Sequence, residues 1–95
     1  MRFDANTTTI GTAGTAVQIS TTADRVKSIS VKARAANAGN TYFGISDVDK
    51  DTGGWEMLPG EEYATDFGDG SVLFSVFYVD AAQSGDKVDW KVILA

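Results

Sequence analysis

Short segments in which apolar and polar residues alternate run through most of this chain, and turn-forming residues separate them. Successive side chains of a β-strand point to opposite faces, so this alternation predicts strands with one buried face. The segments with strand character are residues 15–20, 26–34, 41–46, 55–58, 62–67, 71–80 and 87–94. In the last of them, the residues predicted to face inward are Val88, Trp90, Val92 and Leu94.

Residues 71–80, Ser-Val-Leu-Phe-Ser-Val-Phe-Tyr-Val-Asp, are apolar on both faces of the predicted strand. This pattern predicts a central strand, and its second apolar face would need a cover: an arm, a loop or another subunit. Since that face carries Leu73, Phe77 and Val79, we expect these three residues to contribute to a subunit interface.

Residues 1–14 are rich in Thr, Gly, Ala and Asn, with Phe3 and Ile10 as the only large apolar side chains after Met1. Residues 7–10 can pair as an edge strand, whereas the stretch from Gly11 to Gly14 would bend or loosen the chain. We therefore expect an N-terminal arm that orders against a partner, with Phe3 and Ile10 in the contact. A frayed terminus is the alternative, and residues 15–95 are predicted to form a single domain.

The complete pattern contains about seven or eight short strands at spacings of about 8 to 12 residues. It predicts an all-β fold: a small sandwich of two antiparallel sheets with jelly-roll or Greek-key wiring. A small closed barrel is the alternative.

Composition argues against catalysis. The chain has no Cys and no His, so the commonest general base, the thiolate nucleophile and the usual zinc ligands are missing. Its net charge of −5 disfavours binding to nucleic acid or to an anionic membrane. No apolar run approaches the roughly 18 residues of a membrane span. We expect a soluble, non-enzymatic protein that requires no cofactor.

Asp47, Asp49 and Asp51 place three carboxylates at alternate positions, an arrangement that can gather oxygen ligands for calcium. The calcium-loop pattern requires Gly at its sixth position and Glu at its twelfth, where this chain has Thr52 and Leu58. A solvated acidic turn without metal is therefore the expectation, and calcium binding is the alternative.

Flat aromatic side chains can stack on sugar rings, but most aromatic residues of this chain alternate as core residues do. Trp55, beside the acidic loop and Gly53-Gly54, is the aromatic residue that we expect to be exposed, and it is the candidate ligand contact.

Several turn motifs resemble those of a known group of proteins. They include Gly44-Ile45-Ser46, Leu58-Pro59-Gly60-Glu61 and the stretch from Val79 to Val88, which follow a Thr/Gly/Ala-rich start. With these features the chain resembles small virion proteins of tailed bacteriophages, especially capsid decoration (cement) proteins of β-sandwich type. The resemblance covers residues 15–95 loosely.

The resemblance implies a structural protein on the outside of a bacteriophage capsid, often a homotrimer, which ties neighbouring major capsid subunits together. It would be made in the host cytoplasm and incorporated into the virion. The alternative is a carbohydrate- or receptor-binding module on the phage tail or head surface, which would use Trp55 and residues 47–53. A hydrolase that uses paired carboxylates is a third class.

Overall fold

The computed structural model describes residues 2–51 and 53–95. Within these residues the chain forms nine β-strands and a single turn of 3₁₀ helix, Phe74–Val76. The strands are β1 (Arg2–Thr9), β2 (Val17–Gln18), β3 (Arg25–Ala33), β4 (Thr41–Gly44), β5 (Trp55–Met57), β6 (Glu62–Asp66), β7 (Val72–Leu73), β8 (Tyr78–Ala81) and β9 (Lys87–Leu94).

The strands form two antiparallel sheets that pack face to face. The first sheet has the order β1-β9-β3-β6, and the short β7 pairs with one end of β3; the second has the order β2-β8-β4-β5. Apart from β7, this order is that of a jelly roll, a double-sheet architecture of eight strands. The predicted all-β sandwich is therefore confirmed, and the closed barrel is not formed.

The inner face of the first sheet follows the alternation in β3 and β9. The two strands pair antiparallel from Val26 opposite Leu94 to Ala33 opposite Val88, and the inward side chains of both are buried. Val26 breaks the alternation of β3, and the structure shows why. A register shift between Val26 and Ser28 turns Val26 back into the core.

The prediction of one central strand at residues 71–80 is wrong. This segment leaves the first sheet after β7, turns through the 3₁₀ helix and enters the second sheet as β8. Its side chains are apolar on both sides because the segment crosses between the sheets, through the core. Phe77 and Val79 are buried there, so no second subunit is needed to cover them.

The expected N-terminal arm is also corrected. Residues 2–9 pair with β9 along their whole length, from Arg2 opposite Leu94 to Thr9 opposite Lys87. The next residue, Ile10, is fully buried, and its backbone exchanges hydrogen bonds with Asp86 and Gly85. This part of the predicted arm thus belongs to the sandwich, because its backbone pairs within its own chain. Met1 lies outside the described residues.

Aromatic rings connect the sheets across the core. Phe77 stacks on Phe43 with ring centroids 5.5 Å apart and lies 6.3 Å from Phe67. Phe74 of the 3₁₀ helix meets Trp90 of β9 edge to face at 5.2 Å. These separations and orientations are favourable for aromatic pairs, so the crossing segment holds the two sheets together.

A buried carboxylate fixes the loops that cover the second sheet. Asp80 lies on the outer side of β8, yet it is fully buried. Its two oxygens accept hydrogen bonds from the backbone N–H groups of Gly14, Lys50 and Ala81, at 2.8 to 3.0 Å. Two loops thus lie over the outer face of the second sheet.

The segment of residues 71–80 that crosses between the sheets leads to a prediction about stability. Replacing Phe77 with Ala should lower the free energy of unfolding by about 3–5 kcal/mol, because the change leaves a cavity in the core. Leu73→Ala, four residues earlier and exposed, is the control and should cost less than about 1 kcal/mol. Urea denaturation followed by circular dichroism measures both. Equal, small effects would mean that Phe77 is not a core residue.

Candidate interaction surfaces

The outer face of the first sheet is open, and its side chains form three rows across the four strands β1, β9, β3 and β6. The strand registers place each row's members opposite one another. The rows are Phe3, Ile93, Ser28 and Asp66; Ala5, Lys91, Ser30 and Ala64; and Thr7, Asp89, Lys32 and Glu62. We call these twelve residues the first-sheet face.

Small side chains in the middle of the first-sheet face make it concave. A groove of about 460 Å³ has Ser28, Ser30 and Ala64 among its lining residues, and the exposed Phe3 and Ile93 border it on the side of β1 and β9. A second groove, of about 400 Å³, adjoins it and shares Ser30 and Lys91. Both volumes lie in the range of about 300–1,000 Å³ that is usual for ligand sites.

An ion-pair network lies at one end of the first-sheet face, in the row that contains Thr7 and Asp89. The Arg34 Nε lies 3.1 Å from both carboxylate oxygens of Asp89, and its Nη2 donates to Thr7 Oγ1 at 3.1 Å. The Thr7 hydroxyl in turn donates to Asp89. The hydrogen bond from Arg34 holds the pKa of Asp89 below its ordinary value of 3.8, although partial burial opposes the shift. The network ties β1 to β9 and to the chain segment that follows β3.

The five residues predicted to form a subunit interface are divided by the structure. Ile10, Phe77 and Val79 are buried in the core of their own chain, so they are not exposed to a second subunit as predicted. Phe3, 65% exposed, and Leu73 are on the surface. Sequence reasoning missed Ile93, an exposed aliphatic residue at an outward position of β9. The sequence contained one sign of this exposure: Ile93 occupies one of the alternate positions of β9 that otherwise carry Lys and Asp.

The acidic residues 47–51 lie in a loop that backbone hydrogen bonds hold in place. Lys50 donates its backbone N–H to the buried Asp80, and Asp49 accepts the N–H of Asp51 at 2.8 Å. The Lys50 ammonium pairs with Asp51 at 3.0 Å, and this contact raises the pKa of Lys50. Among the described residues, no group of three or more acidic side chains is arranged to hold a metal ion. The loop is thus a hydrogen-bonded turn in which the Lys50 ammonium lies beside the Asp51 carboxylate.

The outer side of the second sheet adds to this acidic surface. Glu56 of β5 lies opposite Tyr42 of β4 and accepts a hydrogen bond from its hydroxyl at 3.2 Å. Partial burial and the Glu56 carboxylate raise the pKa of Tyr42, and Asp51 adds to the shift. We call the exposed part of residues 45–51 together with Glu56 the loop face. It carries four carboxylates against the single charge of Lys50.

Charge is distributed unevenly between the strands of the first sheet and the rest of the chain, although the first-sheet face itself carries two lysines against the carboxylates of Asp89, Glu62 and Asp66. The strands of the first sheet contain six basic and four acidic residues, a net of +2. The rest of the chain contains two basic and nine acidic residues, a net of −7. The overall charge of −5 hides this polarity, which only the assignment of residues to sheets reveals.

Trp55, the candidate ligand contact, is 56% exposed, as expected. Its ring lies 4.7 Å from that of Tyr63, with the planes inclined by 35°, and the Tyr63 ring lies 5.8 Å from that of Phe43. Trp55 thus ends a line of aromatic rings that leads out of the core at the open edge between β5 and β6. One side of the indole covers this edge, and the remainder is available to a ligand.

The comparisons with known proteins do not assign this chain to a family. No protein-family model matches the sequence, and no curated protein matches it significantly. In residues 2–51 and 53–95 no helix has the length and apolarity that crossing a membrane requires. Function is therefore argued below from the fold and from the surfaces just described.

The Arg34–Asp89 pair generates a pH prediction. Because the pKa of Asp89 is lowered in the folded state, the pair stabilises the fold at pH values above 3.8, the ordinary pKa that Asp89 would have in the unfolded chain. This stabilisation is lost as the pH falls through the lower folded-state pKa. Asp89→Asn should therefore be less stable than the unmodified chain at neutral pH, and the difference should shrink in acid. With 39% of the Asp89 side chain exposed, we expect less than about 1 kcal/mol.

Thermal unfolding of both proteins between neutral pH and acid measures the effect. Asp69→Asn, at an exposed turn, is the control for losing one carboxylate. A stability difference between the unmodified chain and Asp89→Asn that stays constant over the whole pH range would contradict the assigned role of the ion pair.

Proposed function

We propose that this chain is a non-enzymatic virion structural protein of a tailed bacteriophage, which binds the outside of the capsid and stabilises the lattice of major capsid subunits. The observation that carries the proposal is the two-sided surface: the first-sheet face and the loop face lie on opposite sides of the sandwich, and both are exposed. A protein that ties neighbours together needs contacts on more than one side. The jelly roll is compatible, since it occurs in viral capsid proteins, although fold alone does not assign function.

The proposed mechanism is stabilisation by mass action. A protein that binds the assembled lattice and not its free subunits lowers the free energy of the lattice by an amount that grows with the concentration of the free binding protein relative to its dissociation constant. Many copies act together, so modest affinity at each site is sufficient. Homotrimer formation and location on the capsid exterior, as the resemblance implies, belong to the same proposal.

The hydrogen bonds that hold the loops and β1 in place support this role. Two loops are pinned over the second sheet by Asp80, and residues 2–9 are paired within the first sheet. A surface that is ordered before it binds loses less conformational entropy on binding, which leaves more of the contact energy as affinity.

The test is binding to shells purified without this chain from the phage that encodes it. We expect saturable, stoichiometric co-sedimentation and a higher shell melting temperature when the purified chain is added. Trp55→Ala is the informative variant, because lattice binding should not require an aromatic residue at the open edge of the sandwich. A chain that neither sediments with the shells nor changes their melting would contradict the proposal.

The second candidate function is carbohydrate or receptor recognition, and the exposed Trp55 favours it. Its indole is held by Tyr63, and flat rings held in this way stack on sugars. Jelly rolls also occur among lectins. In this case the ligand would lie over the edge between β5 and β6, near residues 47–53.

Tryptophan fluorescence distinguishes this second candidate. The chain has two tryptophans, and Trp90 is buried, so a glycan that stacks on Trp55 should change the emission of the exposed indole alone. Trp55→Phe leaves only the buried reporter and is the control that should show no response. If a panel of simple glycans leaves the emission of the unmodified chain unchanged, this candidate fails.

A further inference from the structure

We propose that β6 is a docking edge, at which an extended segment of a partner protein adds a further antiparallel strand to the first sheet. The segment that fits has basic residues at two positions four residues apart, with apolar residues at the first and third positions between them. This inference goes beyond the proposed capsid role. It rests on the geometry of β6 and its neighbours, so it does not depend on that role.

The hydrogen bonds between β6 and β3 show which backbone groups of β6 are already used. β6 is the last strand of the first sheet, and among the described residues it pairs with β3 alone. Just beyond its two ends, the Phe67 N–H donates to the carbonyl of Lys27, and the Ala33 N–H donates to the carbonyl of Glu61, both at 2.9 Å. These two bonds fix the phase of the whole ladder.

Three residues of β6 have backbone groups that face away from β3. In an antiparallel pair, residues whose N–H and C=O groups bond to the partner strand alternate with residues whose groups point to the other side. The odd-numbered residues of 61–67 therefore bond to β3. The N–H and C=O groups of Glu62, Ala64 and Asp66 point outward, in the arrangement that a further strand requires.

The other strand edges of the sandwich are protected or short. At the opposite edge of the first sheet, the outward N–H groups of Ala5 and Thr7 donate to the side-chain oxygens of Asp4 and Asn6, at 2.8 to 2.9 Å. In the second sheet, the edge strands β2 and β5 have two and three residues. Such features block pairing with other chains, and β6, with five residues, is the edge that a partner strand can use.

The side chains of β6 select a basic occupant. Glu62 and Asp66 are exposed on the outer side of the sheet, four residues apart. Glu62 lies opposite Lys32 and Asp66 opposite Ser28, and within the described residues neither carboxylate takes part in a salt bridge. An added strand would place one residue beside each carboxylate, on the side away from β3. Lys or Arg at these two positions would form cross-strand pairs of opposite charge.

The residues between the two basic positions would lie near Trp55. Residues directly opposite each other in two strands point to the same side of a sheet, so the partners of Tyr63 and Thr65 would point toward the second sheet. On that side the ring of Trp55, 56% exposed, lies 4.7 Å from the ring of Tyr63. Apolar side chains at these positions would cover part of the exposed indole and remove its surface from water.

A second copy of this chain is a poor occupant of the edge. If β6 paired with β6 of a second copy through all three outward residues, Glu62 would lie opposite Asp66 twice, and Ala64 would lie opposite itself. Like charges directly opposite each other destabilise a strand pair. The sequence of β6 therefore disfavours pairing with itself and favours a basic partner.

The test is titration of the isotope-labelled full-length chain with the synthetic peptide acetyl-Thr-Lys-Val-Thr-Val-Lys-Thr-amide, followed by nuclear magnetic resonance of the backbone amides. We expect saturable shifts and slower hydrogen exchange for the amides of Glu62, Ala64 and Asp66, because each gains a hydrogen bond. The amides of Ala5 and Thr7, at the protected edge, should not change.

Ala64→Pro is the informative variant. Proline is tolerated in an edge strand where its nitrogen points away from the sheet, and here it removes the central donor of the edge. We expect the dissociation constant of the peptide to rise about tenfold or more. Ala5→Pro is the matched control, since Ala5 lies in the same row of the sheet at the opposite edge, and it should bind like the unmodified chain. Circular dichroism checks that both variants are folded.

Two altered peptides test the occupant without changing the protein. Methylation of the central Thr amide nitrogen removes its hydrogen bond to the carbonyl of Ala64 and should weaken binding about tenfold or more. Replacement of both Lys residues by Glu should weaken binding about fivefold or more, because like charges then face Glu62 and Asp66.

Three results would overturn the proposal: no saturable shifts at β6, binding that Ala64→Pro leaves unchanged, or equal binding of the Lys and Glu peptides. A dimer of the unmodified chain that Ala64→Pro abolishes would also overturn it, because a second copy would then occupy the edge. The experiments contain no capsids, so their failure would leave the proposed capsid binding to its own test.

Discussion

The antiparallel pairing of β9 with β1 on one side and β3 on the other is the constraint on which the rest of this structure depends. The C-terminal strand is bonded along its length by the N-terminal strand and by the longest strand of the chain. Its inward residues, from Val88 to Leu94, complete the inner face of the first sheet and bury Trp90 against Phe74. Strands β1 and β9, which are far apart in the sequence, are thereby joined in one sheet.

This pairing also decides which surfaces are free. The second sheet is covered on its outer side by loops that Asp80 holds, whereas no loop lies over the outer rows of the first sheet within the described residues. Buried carboxylates that accept several backbone N–H bonds are costly to disrupt, because each donor would lose its partner away from water. The covered side consequently carries hydrogen-bonded acidic loops, and the open side is a regular sheet surface on which Lys32 and Lys91 lie among three carboxylates.

The two candidate functions use different parts of this framework. The proposed lattice binding would rely on broad surfaces on opposite sides of the sandwich. Recognition of a sugar relies on one indole at the open edge, where Tyr63 limits its movement. The jelly roll accommodates both, because function resides in the surfaces that a fold presents, and the fold by itself assigns neither.

What the sequence determined by itself is the all-β sandwich and the inward residues of β3 and β9, because period-two alternation records which side of a strand meets the core. The exposure of Trp55 could also be predicted, because Trp55 follows two glycines and an acidic loop. The path of residues 71–80 could not be predicted from the sequence. A strand that is covered on both faces and a segment that crosses the core between two sheets are both apolar on both sides.

Only the tertiary structure decided the fate of residues 2–10, since their pairing with β9 joins positions that are more than 70 residues apart in the chain. It likewise decided that Phe77 and Val79 are core residues, whereas Ile93 is a surface residue. The charge polarity of the molecule depends on which strands share a sheet, and a net charge of −5 carries no trace of it. Local alternation specifies which way a side chain points relative to its own strand, but only long-range pairing specifies what lies on that side.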